Sequence, residues 1–304
     1  MSGSLATRLW TYQAERFPLA KTVPLLAIFS AASINVSAFL SGRDLPGLGA
    51  YLVGLLLALT IFFQMRVCDE VKDREIDAKY RPHLPIPRGL VSLRVIVMLG
   101  LSSTILSVGT AVIVSPALAV LLFIVWGWLT AMTFEFGYPV WLRARPILYL
   151  ISHMAIMPLI DLLLTGVEWV AEGGPGGHLW LFLALSFANG CVLEIGRKTW
   201  APEDEREGVE SYSSHWGYRK AIAVWCLCLI TAAGLLGALG LVLNVFSGIA
   251  IITMLGLAIC LGAGWRFLSD PSAKTARLVD TIAGAWVFLS YFAAGFLPLI
   301  LGRS

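Results

Sequence analysis

Long apolar runs alternate with short charged connections along the whole chain. Nine runs reach the length a helix needs to cross a bilayer, about 20 residues. They lie at approximately 22–41, 49–68, 92–113, 116–135, 147–166, 178–197, 220–243, 246–265 and 281–301. This pattern predicts an all-α integral membrane protein with nine transmembrane helices. Before the first run, Leu5, Leu9, Trp10 and Phe17 stand among Arg and Glu, which predicts a short interfacial helix over 5–17. Two connections stand out. Arg66–Gly89 follows the second run with five acids and six bases, and Glu194–Gly208 follows the sixth. Four runs separate them, so both belong at the same end of the bundle, and this hints at two halves that each present an acidic helix end. The last three runs read as plain apolar helices.

Composition agrees. Hydrophobic residues make up 58% of the 304 and charged residues 13%, against about 25% charged in soluble domains, and the mean hydropathy is +0.81. Orientation follows from charge placement. With the N-terminus inside, 20 of the 22 Lys and Arg fall on the inner side, the exceptions being Arg43 and Arg303. The positive-inside rule therefore predicts a cytoplasmic N-terminus and cytoplasmic charged connections. The net charge of +3 matters less than its distribution. No basic nucleic-acid surface is evident, and no obligate protein partner. The five cysteines lie in or at the ends of runs without metal-type pairing to His, and read as small apolar residues. The mixed, charged opening residues do not resemble a cleavable signal peptide, and the chain reads as one membrane domain over residues 1–304.

The first charged stretch carries candidate chemistry. Asp69, Asp73 and Asp77 recur at every fourth residue, so a helix places them near one face, about 6 Å apart along the axis. Like charges at that spacing repel, and a divalent cation would compensate them. Pro82, Pro85, Pro87 and Gly89 then make a stiff, extended loop, read equally as a lid or a connector. The second stretch adds Glu194, Arg197, Lys198, Glu203 and Asp204. Paired acidic clusters interleaved with Arg and Lys suit a diphosphate bound through Mg²⁺, which takes one or two carboxylates and completes its shell with phosphate oxygens and water. An apolar cavity behind such a rim would hold a hydrocarbon tail, so a prenyl diphosphate fits both parts. His153 and Asp161 sit at membrane depth, where ionisable groups face a cavity or a partner. They leave open either a structural contact or a cation transporter.

The run Asp69-Glu70-Val71-Lys72-Asp73-Arg74-Glu75-Ile76-Asp77, followed by Pro85-Ile86-Pro87-Arg88-Gly89, resembles the first aspartate motif and loop of the UbiA-type intramembrane prenyltransferases. Tyr138-Pro139 with Arg143 is similar to that family's Tyr-Pro-x-x-Lys-Arg segment, and Asp204, Arg206, Gly208 and Gly217 to the tail of its second motif. The nine-span layout is also the family's. The resemblance implies nine helices around a central cavity and Mg²⁺-dependent transfer of a prenyl group from a polyprenyl diphosphate to an aromatic or other lipophilic acceptor. It implies Asp69, Asp73, Asp77 and Arg143 as catalytic residues. Metal ligands would come from Asp69, Glu70, Asp73, Asp77, Glu194 and Asp204, and diphosphate contacts from Lys72, Arg88, Tyr138, Arg197 and Lys198.

The departures are specific. Asp69 replaces the family's Asn, Glu70 its Asp, Leu84 its Arg, Arg88 its Ser and Leu142 its Lys. In the second motif Arg197 and Trp200 stand at aspartate positions and only Asp204 stays in register. This more basic half keeps two related reactions open: phosphoribosyl transfer to a polyprenyl phosphate, and terpene cyclisation.

Overall fold

Lipid offers the backbone no hydrogen bonds, so each apolar run satisfies its amides internally and becomes a helix. The computed structural model describes residues 3–206 and 209–302; Gly208 of the second motif and Arg303 lie outside the described residues. A short α1 (Leu5–Arg16) precedes α2 (Leu19–Ser41), α3 (Leu48–Lys72), a small α4 (Arg74–Tyr80), α5 (Leu93–Val114) and α6 (Pro116–Thr133). There follow α7 (Pro139–Arg143), α8 (Pro146–Met154), α9 (Ile156–Trp169), α10 (Leu179–Arg197), α11 (Tyr212–Trp216), α12 (Tyr218–Val242), α13 (Phe246–Ser269) and α14 (Ala273–Ile300). Among the described residues nine segments are long and apolar enough to cross a membrane, α8 and α9 together forming the fifth. The predicted helix over 5–17 is present as α1.

Consecutive spans pack side by side, and α14 returns to α2, so the bundle closes into a ring. Inside it α2 also meets α9, and α10 meets α14. Contacts from α1, α3, α8, α10 and the α13–α14 connection gather the charged stretches at one end. Arg43 belongs to the opposite end, where it is spent on the buried Glu168 at 2.5 Å, with Ser37 donating to the same carboxylate.

The ring closes at close quarters. A Cβ on Gly295 of α14 would lie 2.4 Å from Ala32 Cα of α2, so the two backbones touch. Asn35 Nδ2 donates to the Gly295 carbonyl at 3.0 Å across the same seam. Small residues are how membrane helices approach this closely. Gly295→Val should therefore lower the thermal midpoint in detergent by an overpacking cost of about 1–3 kcal/mol. An unchanged midpoint would mean that the seam is loose.

Asp161, on the inward face of α9, accepts from Ser33 Oγ at 2.7 Å and from Tyr291 OH at 2.5 Å. One carboxylate thus joins α2, α9 and α14. Both oxygens are engaged, which favours the helix-contact reading of this residue over a transport role.

Candidate active site at the charged end

The last turn of α3 delivers Asp69, Lys72 and the junction residue Asp73. Asp73 leaves helical geometry (φ −90°, ψ 6°) before α4 resumes at Arg74. The regular spacing of Asp69, Asp73 and Asp77 predicts one shared face, and the kink divides it. Asp69 stays open to the rim, its side chain 56% exposed and 3.5 Å from Arg66. Asp77 is buried, 3.3 Å from Arg81 and 3.9 Å from Arg16. Burial pushes the Asp73 carboxyl above its ordinary range and neighbouring Asp77 adds to that, while Lys72, Arg81 and Lys198 pull the other way.

Lys72 points across to a buried carboxylate that spacing does not mark. Glu135 ends the α6 span in a tight reversal in which Glu135, Phe136 and Gly137 all take left-handed backbone, with φ of 50°, 54° and 80°. For the two non-glycine residues this costs of order 1–3 kcal/mol each, a strain that native structures tolerate mainly where function holds it. The reversal turns Glu135 inward, 4% exposed, where Oε1 meets Lys72 Nζ at 2.6 Å and Arg143 at 3.4 Å. Tyr149 OH lies 3.3 Å from the same oxygen and 3.0 Å from Lys72 Nζ. Glu135 Oε2 and His153 Nε2 face each other at 3.5 Å, neither having a hydrogen-bond partner among the described residues.

Tyr149 also links the two charged stretches. Its ring stacks on His153 at 3.8 Å, and it receives both Lys72, 5.4 Å from its centroid, and Lys198 at 6.0 Å. Lys198 and Arg197 in turn hold Glu194 at 2.8 and 2.5 Å. The two stretches therefore meet at one aromatic ring, with Lys72 from the first and Lys198 from the second.

Beyond Arg197 a cavity of about 320 Å³ is lined by Arg81, Arg197, Arg206 and Arg277, with Asp204 and Asp280. Trp200 sits on its wall, Nε1 donating to the Arg197 carbonyl at 3.1 Å. The other acids here have local duties. Glu203 accepts from the Ala273 amide at 2.9 Å, and Glu205 from Ser211 Oγ at 2.7 Å.

The structure thus brings together Asp69, Asp73, Lys72, Arg143, Arg197, Lys198 and Glu194, and adds Glu135, Tyr149 and His153. It does not gather six carboxylates around one point. Glu70 turns away to α1, taking Arg16 at 2.6 Å and Tyr12 OH at 3.3 Å, because residues 69 and 70 lie on different sides of α3. Asp77 and Glu194 are ion-paired, and Asp204 stands among arginines. Arg88 is held by Glu15 at 2.7 Å near the surface, and Tyr138 is 71% exposed. Among the described residues no three His, Cys, Asp or Glu are grouped to hold a metal by themselves. A Mg²⁺ bridged to phosphate asks for less, and the open Asp69 with Asp73 one turn on meets the one- or two-carboxylate requirement.

A sequence model described as the UbiA prenyltransferase family matches residues 25–299. No curated protein sequence matches. Solved structures do. A digeranylgeranylglyceryl phosphate synthase aligns with TM-score 0.63 and 18% identity over 96% of this chain and 99% of its own. A UbiA homologue from Aeropyrum pernix K1 gives 0.63 and 16% over 86% and 97%. A UbiA homologue from Archaeoglobus fulgidus, bound to DMAPP and Mg²⁺, gives 0.59 and 14% over 91% and 97%. At these identities the structural likeness carries the fold.

Proposed function

The chain belongs to the UbiA prenyltransferase family, and from that premise we propose that it moves a prenyl group from a polyprenyl diphosphate to an aromatic or other lipophilic acceptor, with Mg²⁺ and at the cytoplasmic face. The observation that carries this reading is the rim itself: Asp69 and Asp73 stand at the end of α3 beside Lys72, which shares the Tyr149 ring with Lys198 of the second stretch, next to Arg197. The ligands of the Archaeoglobus homologue, DMAPP or GPP with Mg²⁺, are donors of this class. Asp69 and Asp73 would hold the metal, which when bound offsets diphosphate charge and makes it a better leaving group. Lys72, Lys198, Arg197 and Arg143 neutralise the remaining oxygens. Glu135 and Tyr149 fix Lys72 so that its ammonium is aimed before substrate arrives, the kind of preorganisation that lowers a charge-developing barrier. Heterolysis gives the bonding pair to the departing diphosphate and leaves an allylic cation for the acceptor.

Purified protein supplied with radiolabelled prenyl diphosphates of several lengths, candidate acceptors and Mg²⁺ should release diphosphate, and EDTA should stop it. Absence of release with every donor would sink the proposal. A second reading rests on the four arginines of the 320 Å³ cavity and on Trp200 at its wall. They favour a phosphorylated co-substrate, as in phosphoribosyl transfer to a polyprenyl phosphate. Mass spectrometry of the products separates the two.

A further inference from the structure

On the far side of α4 from the rim lies a second, larger cavity of about 830 Å³. Its floor is α4, one wall is the start of α1, and the other is the proline loop running into the first turns of α5. Three arginines from three elements line it: Arg8 of α1, Arg74 of α4 and Arg94 of α5. Among the described residues none of the three has a carboxylate within 4.0 Å. Arg8 Nε is buried without a hydrogen-bond partner. A buried guanidinium nitrogen with no acceptor is costly. The two acids that share the lining, Glu70 and Asp77, are already neutralised by Arg16 and Arg81, so the three arginines leave an uncompensated positive field.

Apart from Ser92 the rest of the lining is apolar, including Leu5, Ile86, Val91 and Val97. It continues onto the outward face of α5, where Met98, Leu101 and Ile105 are exposed as lipid-facing residues are. Trp10, 69% exposed on α1, marks the headgroup level in the way interfacial tryptophans do. A cavity with a basic head and an apolar exit toward the acyl region matches an amphiphile with an anionic phosphate group. A soluble anion would use the arginines and leave the apolar wall bare.

We propose that this cavity is a binding site for an anionic phospholipid, its phosphate among Arg8, Arg74 and Arg94 and its chains along α5. The site is separate from the prenyl-donor rim but coupled to it. The α1 helix that forms its wall also clamps the first acidic stretch through Arg16 and Tyr12 on Glu70. An occupied site holds α1 down and steadies the end of α3 that carries Asp69 and Asp73.

The test is lipid binding by the full chain, independent of any activity. Protein in neutral detergent is titrated with phosphatidylglycerol, phosphatidylcholine or inorganic phosphate, and read by native mass spectrometry and by thermal midpoint. The expected result is retention of phosphatidylglycerol over phosphatidylcholine, with a rise in midpoint. Arg8→Gln and Arg94→Gln, made separately, should each weaken phosphatidylglycerol about fivefold, the worth of one basic residue at an anionic surface. Arg219→Gln, on the exposed start of α12, should change nothing, and unliganded midpoints like wild type certify that the variants fold. Equal retention of the two lipids, or arginine variants that bind as wild type does, would overturn the proposal. Saturation by inorganic phosphate alone, with no gain from the lipid, would assign the arginines to a soluble anion and overturn the lipid.

Discussion

Replacing Asp73 with asparagine should cut prenyl transfer by about 10²–10³-fold, the scale on which loss of one charged group at a reacting centre is felt. The substitution keeps volume and hydrogen-bonding shape and removes only the charge. Asp73 sits at the α3–α4 kink, and its amide already closes the α3 ladder onto the Asp69 carbonyl at 2.9 Å, so the backbone there does not depend on the carboxylate. The loss should fall on turnover, with a steeper requirement for Mg²⁺, while the thermal midpoint stays near wild type. Steady-state rates over a Mg²⁺ titration, beside melting curves, give both numbers. Full activity in the variant would remove Asp73 from the metal site.

Glu135→Gln should behave differently. It strands Lys72, and in part Arg143, beside a neutral group in a buried setting, and removing one partner of a buried ion pair costs about 3–5 kcal/mol. Both stability and turnover should drop, because Lys72 loses its aim as well as its counter-charge. A double variant separates the two effects. Glu135→Gln combined with Lys72→Met removes the uncompensated ammonium, so the midpoint should recover most of what the single change lost, yet prenyl transfer should stay low. If turnover recovered along with the midpoint, Lys72 would be a structural residue only. That outcome would move the diphosphate contacts to Arg197 and Lys198.

The bundle was legible because lipid leaves a chain few options: a run of about 20 apolar residues must be a helix. The rim was legible only in part. Asp69, Asp73 and Lys72 could be found because they share one turn. Glu135 could not be assigned a role, since its meaning depends on a lysine 63 positions earlier and on a reversal of three residues in left-handed backbone. Extending the four-residue spacing to Asp77 assumed a straight helix, and the kink at Asp73 sends that carboxylate to Arg16 and Arg81 instead. The same holds for Glu70, whose partner Arg16 lies 54 residues away on a helix that local periodicity treats as a separate element. Pairings across such distances follow from the assembled ring.

The seam between α2 and α14 bears on how the protein is made. Synthesis delivers α14 after the eight spans it packs among, yet α14 supplies Tyr291 to Asp161, the Gly295 carbonyl to Asn35, and Ala273 and Asp280 to the arginine-lined cavity. With the earlier eight spans in place, Asp161 keeps Ser33 and Asn35 keeps Tyr51, but one carboxylate oxygen and one amide nitrogen along the open groove lack the partners that α14 brings. Insertion of the ninth span is the event that completes both the bundle and one wall of that cavity. Until then those polar atoms are left to the bilayer, where an unsatisfied group is costly, so closing the seam is itself a driving force for docking α14.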